Sequence, residues 1–143
     1  MAIADSNRII RDYLITCGTL TAFLTNPDGT WRIYCPRLPE NTTLPAVSFF
    51  TRGGTSTPYI PGIISPSAQF DCWASDPITA REVYRALYSA LQGIQNVAVG
   101  ADPPGYKILS AIEEVQGMDL VDVEIPNYFR TLCFFSIMIR ADT

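Results

Sequence analysis

The stretch DPITAREVYRALYSALQGI, Asp76 to Ile94, decides the fold. Asp76 followed by Pro77 predicts a helix start. The carboxylate can accept from the free N–H groups of the first turn, and proline's missing N–H costs nothing at the first helical position. Ala80, Val83, Tyr84, Leu87, Leu91 and Ile94 then recur at three- and four-residue spacing, while Arg81, Glu82, Arg85 and Ser89 lie largely off that stripe. Gly93 predicts the stop. A helix that is apolar along one side needs a layer to pack on, and the segments on either side of it read as strands.

On the N-terminal side, Ala68 to Ala74 alternates. Ala68, Phe70 and Cys72 share one face, and Gln69, Asp71 and Trp73 the other. This is the pattern of a strand with one face in a core. Ala46 to Thr51 is a second β-rich run. On the C-terminal side, Tyr106 to Val115 predicts a strand whose core face is Tyr106, Ile108, Ser110 and Ile112. The last strand, Tyr128 to Arg140, is apolar on both sides. Phe129, Thr131, Cys133, Phe135, Ile137 and Ile139 form one face; Leu132, Phe134 and Met138 lie on the other, among Arg130, Ser136 and Arg140.

Nearer the N-terminus, Ile9, Ile10, Tyr13 and Leu14 follow helical spacing, with Ser6 as the expected cap. Gly18 ends this helix, and Leu20, Phe23 and Leu24 predict one further short turn. Asn26-Pro27-Asp28-Gly29 is a turn, Trp31 to Tyr34 a short strand, and Pro36 and Pro39 forbid regular pairing beyond it. The order is α-β-β-β-α-β-β. It predicts one α+β domain over residues 1–143, a mostly antiparallel sheet with helices packed on one face. Helices on one face leave the second apolar side of the last strand as surplus.

RGGTSTPYIPGIISPS, Arg52 to Ser67, joins two of these strands and holds three prolines and three glycines. Pro58, Pro61 and Pro66 cannot donate ladder hydrogen bonds. The expectation is a loop projecting from the sheet, with Tyr59, Ile60, Ile63 and Ile64 exposed for contact with a partner.

Composition narrows the chemistry. Of 143 residues, 48% are hydrophobic and 17% charged, with a net charge of −4, one lysine and nine arginines. No basic run offers a nucleic-acid surface. The N-terminus carries charges where a signal peptide needs an apolar stretch, and no apolar run reaches the length of about 18 residues that suggests a membrane span. A protein made and kept in a cytosol is expected, and its four cysteines are expected to be free core residues. Histidine is absent, which removes the commonest acid–base group and the usual activator of a nucleophilic cysteine. Glu113 and Glu114 are adjacent on a predicted strand and point to opposite faces. Asp119, Asp122 and Glu124 extend the acidic segment without EF-hand spacing. No catalytic, cofactor or metal site is predicted.

The motifs in order carry a resemblance. Arg32-Ile33-Tyr34 leads to Pro36-Arg37-Leu38-Pro39 and Leu44-Pro45-Ala46-Val47. Gln69-Phe70-Asp71-Cys72-Trp73-Ala74 precedes the helix Thr79-Ala80-Arg81-Glu82-Val83, and the chain closes on Tyr128-Phe129-Arg130-Thr131-Leu132-Cys133-Phe134. From about residue 8 to residue 140 this succession resembles the tail completion proteins of long-tailed bacteriophages, which include tail terminators and tail-to-head joining proteins. The resemblance implies a non-catalytic virion protein. It would form a homo-oligomeric ring, usually a hexamer, on the end of the tail tube, stop tube growth and dock the head connector. DNA would pass through without specific binding. On that basis Leu132, Phe134 and Met138 are expected at a subunit interface. Glu113, Glu114, Asp119, Asp122 and Glu124 are expected to line part of an acidic bore, although an outer solvated loop would explain them as well. A small carboxylate- or metal-dependent enzyme and a non-viral adaptor domain are the competing readings.

Overall fold

A computed structural model describes residues 5–39, 42–56, 62–99, 105–121 and 128–142. The elements, in chain order, are α1 (Ser6–Leu14), α2 (Gly18–Leu24), β1 (Ile33–Tyr34), β2 (Ala46–Ser56), β3 (Ile63–Ala74), α3 (Pro77–Leu91), β4 (Gln95–Val99), β5 (Gly105–Val121) and β6 (Phe129–Asp142). The six strands form one sheet in the order β1-β2-β3-β6-β5-β4. Only β1 and β2 pair in parallel. The expected α+β architecture is present, with two additions: α2 is a helix of its own, and β4 pairs along the start of β5. Among the described residues no helix is long and apolar enough to cross a membrane.

The helix that decides the fold forms as its sequence dictates. The Asp76 carboxylate accepts from the Thr79 N–H at 2.9 Å and from the Thr79 hydroxyl at 2.7 Å, and Pro77 is the first helical residue. Ala80, Val83, Tyr84, Leu87 and Leu91 are buried. In α1 the cap is Asp5 rather than Ser6; its side chain accepts from the Arg8 N–H at 3.3 Å. A carboxylate one residue earlier takes the role assigned to the hydroxyl.

All the core side chains of the central strands point to the helix side. Phe70 faces Cys133, Phe49 faces Phe70, and Ala68 faces Phe135. The Phe49 and Phe70 rings stack at 5.5 Å, and Phe135 meets Phe70 edge-on at 5.7 Å. All three are fully buried. Arg32, at the entrance to β1, is also buried. Its guanidinium donates to the carbonyls of Phe23, Thr25 and Pro45 and to Asn26 Oδ1, at 2.7–3.2 Å. One side chain thus ties the end of α2 and the turn after it to the start of β2.

The described flanks of the segment expected to project as a loop, residues 52–56 and 63–67, belong to the sheet. β2 continues to Ser56 and β3 begins at Ile63, so both flanks belong to one long hairpin. Ile63 pairs with Arg140, and Ile64 pairs with both Ser56 and Ile139. Ile64 packs against the core. Tyr59 and Ile60 lie outside the described residues. Pro66 misleads because one missing N–H interrupts a ladder without ending it: pairing with β6 holds at Ile64 and resumes at Ser67, on either side of it. A bulge between Thr51 and Gly54 takes up one extra residue in β2.

Gly54 has φ +145°, and a Cβ there would run into the carbonyl of Ser65 and come within 2.7 Å of Pro66 Cα. Those obstacles are backbone and cannot step aside. Gly54→Ala should therefore lower stability by about 1–3 kcal/mol, read as a lower urea midpoint. A midpoint equal to wild type would mean that the bulge is not fixed as described.

Candidate interaction surface

The last strand sorts its side chains by parity. Thr131, Cys133, Phe135, Ile137 and Ile139 are buried under the helices, whereas Leu132, Phe134 and Met138 point to the other side, where no described helix packs. Met138 is 37% exposed; Leu132 and Phe134 are half-buried. The expected division of the strand holds, and among the described residues nothing covers this face.

β5 enlarges the patch in a way that alternation alone does not predict. Register shifts fall between Ile108 and Ser110, between Glu113 and Val115, and between Val115 and Met118. Each extra residue reverses the parity that follows. Ile108 is buried as expected, but Ala111 rather than Ile112 then enters the core. Ile112 pairs with Ser136 on the open face and is 57% exposed. Val115 faces Phe134 and Met118 faces Leu132, exposed by 40% and 41%. The expected core positions Ser110 and Ile112 are thus corrected. Bulges have no composition signature here, so Ile112, Val115 and Met118 could not be assigned to this face from the sequence.

Gly117 lies among these shifts. A Cβ there would approach the Tyr84 ring and Thr131 Cγ2 to less than 3 Å. Its absence lets β5 close on α3, where Arg81 Nη1 donates to the Gly117 carbonyl at 2.9 Å.

Three of the five acids can be placed, and they do not share a surface. Glu113 is on the helix side, where the Tyr84 hydroxyl donates to it at 2.6 Å. Burial, followed by this bond, pushes the Tyr84 phenol up to about 12. Asp119 is on the same side, accepting from Thr131 Oγ1 at 3.2 Å and paired with Arg81 at 3.4 Å. Glu114 is on the open side and accepts from the Ser67 hydroxyl at 2.8 Å. These residues lie in a strand rather than a loop, so alternation divides them between its faces. Asp122 and Glu124 lie outside the described residues. Among the described residues no group of three or more His, Cys, Asp or Glu side chains is placed to hold a metal ion.

Polar and aromatic groups border the apolar patch. The Arg52 guanidinium sits 4.2 Å from the Phe134 ring centroid, and that of Arg130 sits 5.3 Å from that of Trp73. Such stacking is worth about 0.5–1 kcal/mol at exposed sites. Trp73 donates to Ser48 Oγ at 2.9 Å. Asp71 lies beneath, only 6% exposed. Arg130 approaches its Oδ1 to 3.6 Å, which is an ion pair but too long for a hydrogen bond. Burial raises the Asp71 pKa; Arg130 and Gln69 oppose the shift without cancelling it.

Comparison with models of known protein families returns no match, and comparison with curated proteins returns no significant one.

The raised pKa of Asp71 gives a signed expectation. The folded state holds the proton more tightly than the unfolded chain, whose aspartates titrate near 3.9. Protonation therefore contributes stability that is complete below about pH 4 and is lost as pH rises through the folded-state pKa. Asp71→Asn should abolish that loss. Urea unfolding at pH 4 and pH 7 should show a smaller pH 7 deficit for the variant than for wild type. A larger deficit would mean that the ion pair with Arg130 outweighs the cost of burial.

Proposed function

We propose that the chain is a structural protein of the tail completion class. It forms a ring, most simply of six copies, at the head-proximal end of a long-tailed bacteriophage tail tube. There it stops tube polymerisation and presents a docking surface to the head connector. The carrying observation is the open face of the sheet, where Ile112, Val115, Met118 and Met138 stand more than a third exposed around the half-buried Leu132 and Phe134. A contiguous apolar patch of this kind marks a surface that another protein covers. The order of motifs that resembles tail completion proteins supports a further copy of this chain as that other protein.

On this reading the protein is not an enzyme, takes no cofactor and is assembled in the host cytoplasm before it becomes part of the virion. Its partners are its own copies, the tail tube protein and the head connector. DNA passes through the ring without being read. Glu113 and Asp119 are engaged on the helix side and Glu114 stands on the other, so an acidic bore lining would draw on one of these sides rather than on all three acids together.

Each apolar side chain fully buried between subunits contributes roughly 1.5–3 kcal/mol, and a carboxylate in its place would be desolvated without a partner. Phe134→Asp should therefore give a folded monomer where wild type gives a ring in native mass spectrometry. Circular dichroism should be unchanged, and the variant should fail to cap tails. A variant that keeps the ring would place the contact elsewhere. A monomeric wild type that also fails to cap tails would refute the assignment.

A further inference from the structure

A closed ring of more than two copies needs two different surfaces on each copy, because a surface that mates with itself stops at a dimer. The open sheet face is one of them. The other candidate lies on the outer side of α3. Ile78 is 72% exposed and Tyr88 39%. With Arg81 and Arg85 between them, they recur at three- and four-residue spacing and form one stripe along the helix. Shallow hollows flank the stripe. One, of about 360 Å³, is lined by Ile78, Arg81, Arg85 and Asp119 among others, and Arg85 borders two more.

The charges of the two surfaces are complementary. On the helix, Arg81 is engaged by Asp119 and the Gly117 carbonyl. Arg85 and Glu82 are exposed, and neither makes an ion pair with a described residue. On the sheet, Arg130 is engaged by Asp71. Among the described residues Glu114 has the Ser67 hydroxyl but no cation, and Arg52 has the Phe134 ring but no carboxylate. Each surface thus combines apolar side chains with an acid and a guanidinium that make no ion pair with a described residue. Pairing of the sheet face with itself would leave the α3 stripe uncovered.

Resting on the ring reading above, we infer that the subunit contact is heterologous: the outer face of α3 from one copy lies across the open sheet face of the next. Ile78 and Tyr88 enter the patch formed by Ile112, Val115 and Met118. Arg85 meets Glu114, and Glu82 meets Arg52. The sheet then carries helices on both faces, those of its own chain on one side and the neighbour's α3 on the other.

Two variants that each destroy one surface test this. Tyr88→Glu removes the helix stripe, and Met118→Asp removes the sheet patch; both positions are exposed, so circular dichroism should match wild type. Each alone should weaken association at least tenfold and run as a monomer in native mass spectrometry. Mixed in equal amounts, they should form a 1:1 dimer and nothing larger, because one intact stripe meets one intact patch. Independently, Arg85→Glu should disrupt assembly and Glu114→Arg in the same chain should restore it. That rescue decides the matter should either of the first variants fail to fold. An assembled wild type whose helix variants assemble unchanged would overturn this inference and leave the ring standing. A mixture that stays monomeric would also overturn it. A wild type that is itself monomeric would overturn the ring reading and this contact with it.

Discussion

The pairing of β3 with β6 is the constraint on which the rest depends. With Phe70 opposite Cys133 and Ala68 opposite Phe135, both central strands turn their large apolar side chains to the same side. A slip of one residue would exchange the faces of β6. Phe134, Leu132 and Met138 would go under the helices, and Phe135 and Ile137 would go out. Both sets are apolar, so hydrophobicity alone discriminates weakly between the registers. The polar residues decide. Arg130, Ser136 and Arg140 share the parity of Phe134 and could not follow it into a core without large desolvation costs. Asp71 adds a second lock, since the open-face register puts it beside Arg130.

Helix coverage follows from this arrangement. The helices account for one face of the sheet, and nothing among the described residues accounts for the other. The uncovered face is only partly apolar. Stacked guanidiniums and a half-buried tryptophan mix with Ile112 and Met118, as on surfaces that must stay soluble before they are covered. Two acids of β5 serve the opposite side, where Glu113 and Asp119, with the Gly117 carbonyl, hold the far part of the strand against α3.

Much of this was legible in the residues. The 3.6 period of Ala80 to Leu91 and the alternation of Ala68 to Ala74 gave the layers and their facing sides directly. So did the two-sided β6, whose Leu132, Phe134 and Met138 lie where alternation puts them. What stayed hidden was local departure from period two. The bulges of β5 transfer Ile112 from core to surface, and β2 stays paired with β3 through Ser56 across the bulge at Gly54. β4, with Gln95 and Asn96 at its start, lacks the apolar alternation that would announce a strand. These are cases in which tertiary pairing sets the conformation and local pattern does not.

Arg32 carries a further consequence. All the hydrogen-bond acceptors of its buried guanidinium are backbone carbonyls and one side-chain amide. None of them takes up a proton in the ordinary range of acidity. These four bonds are therefore indifferent to pH. The opposite end of the molecule, held by Glu113 and Asp119, depends on carboxylates. Truncating Arg32 would leave four acceptors at the junction of α2, β1 and β2 without this donor at once, so these attachments at the N-terminal end of the sheet stand or fall with a single residue.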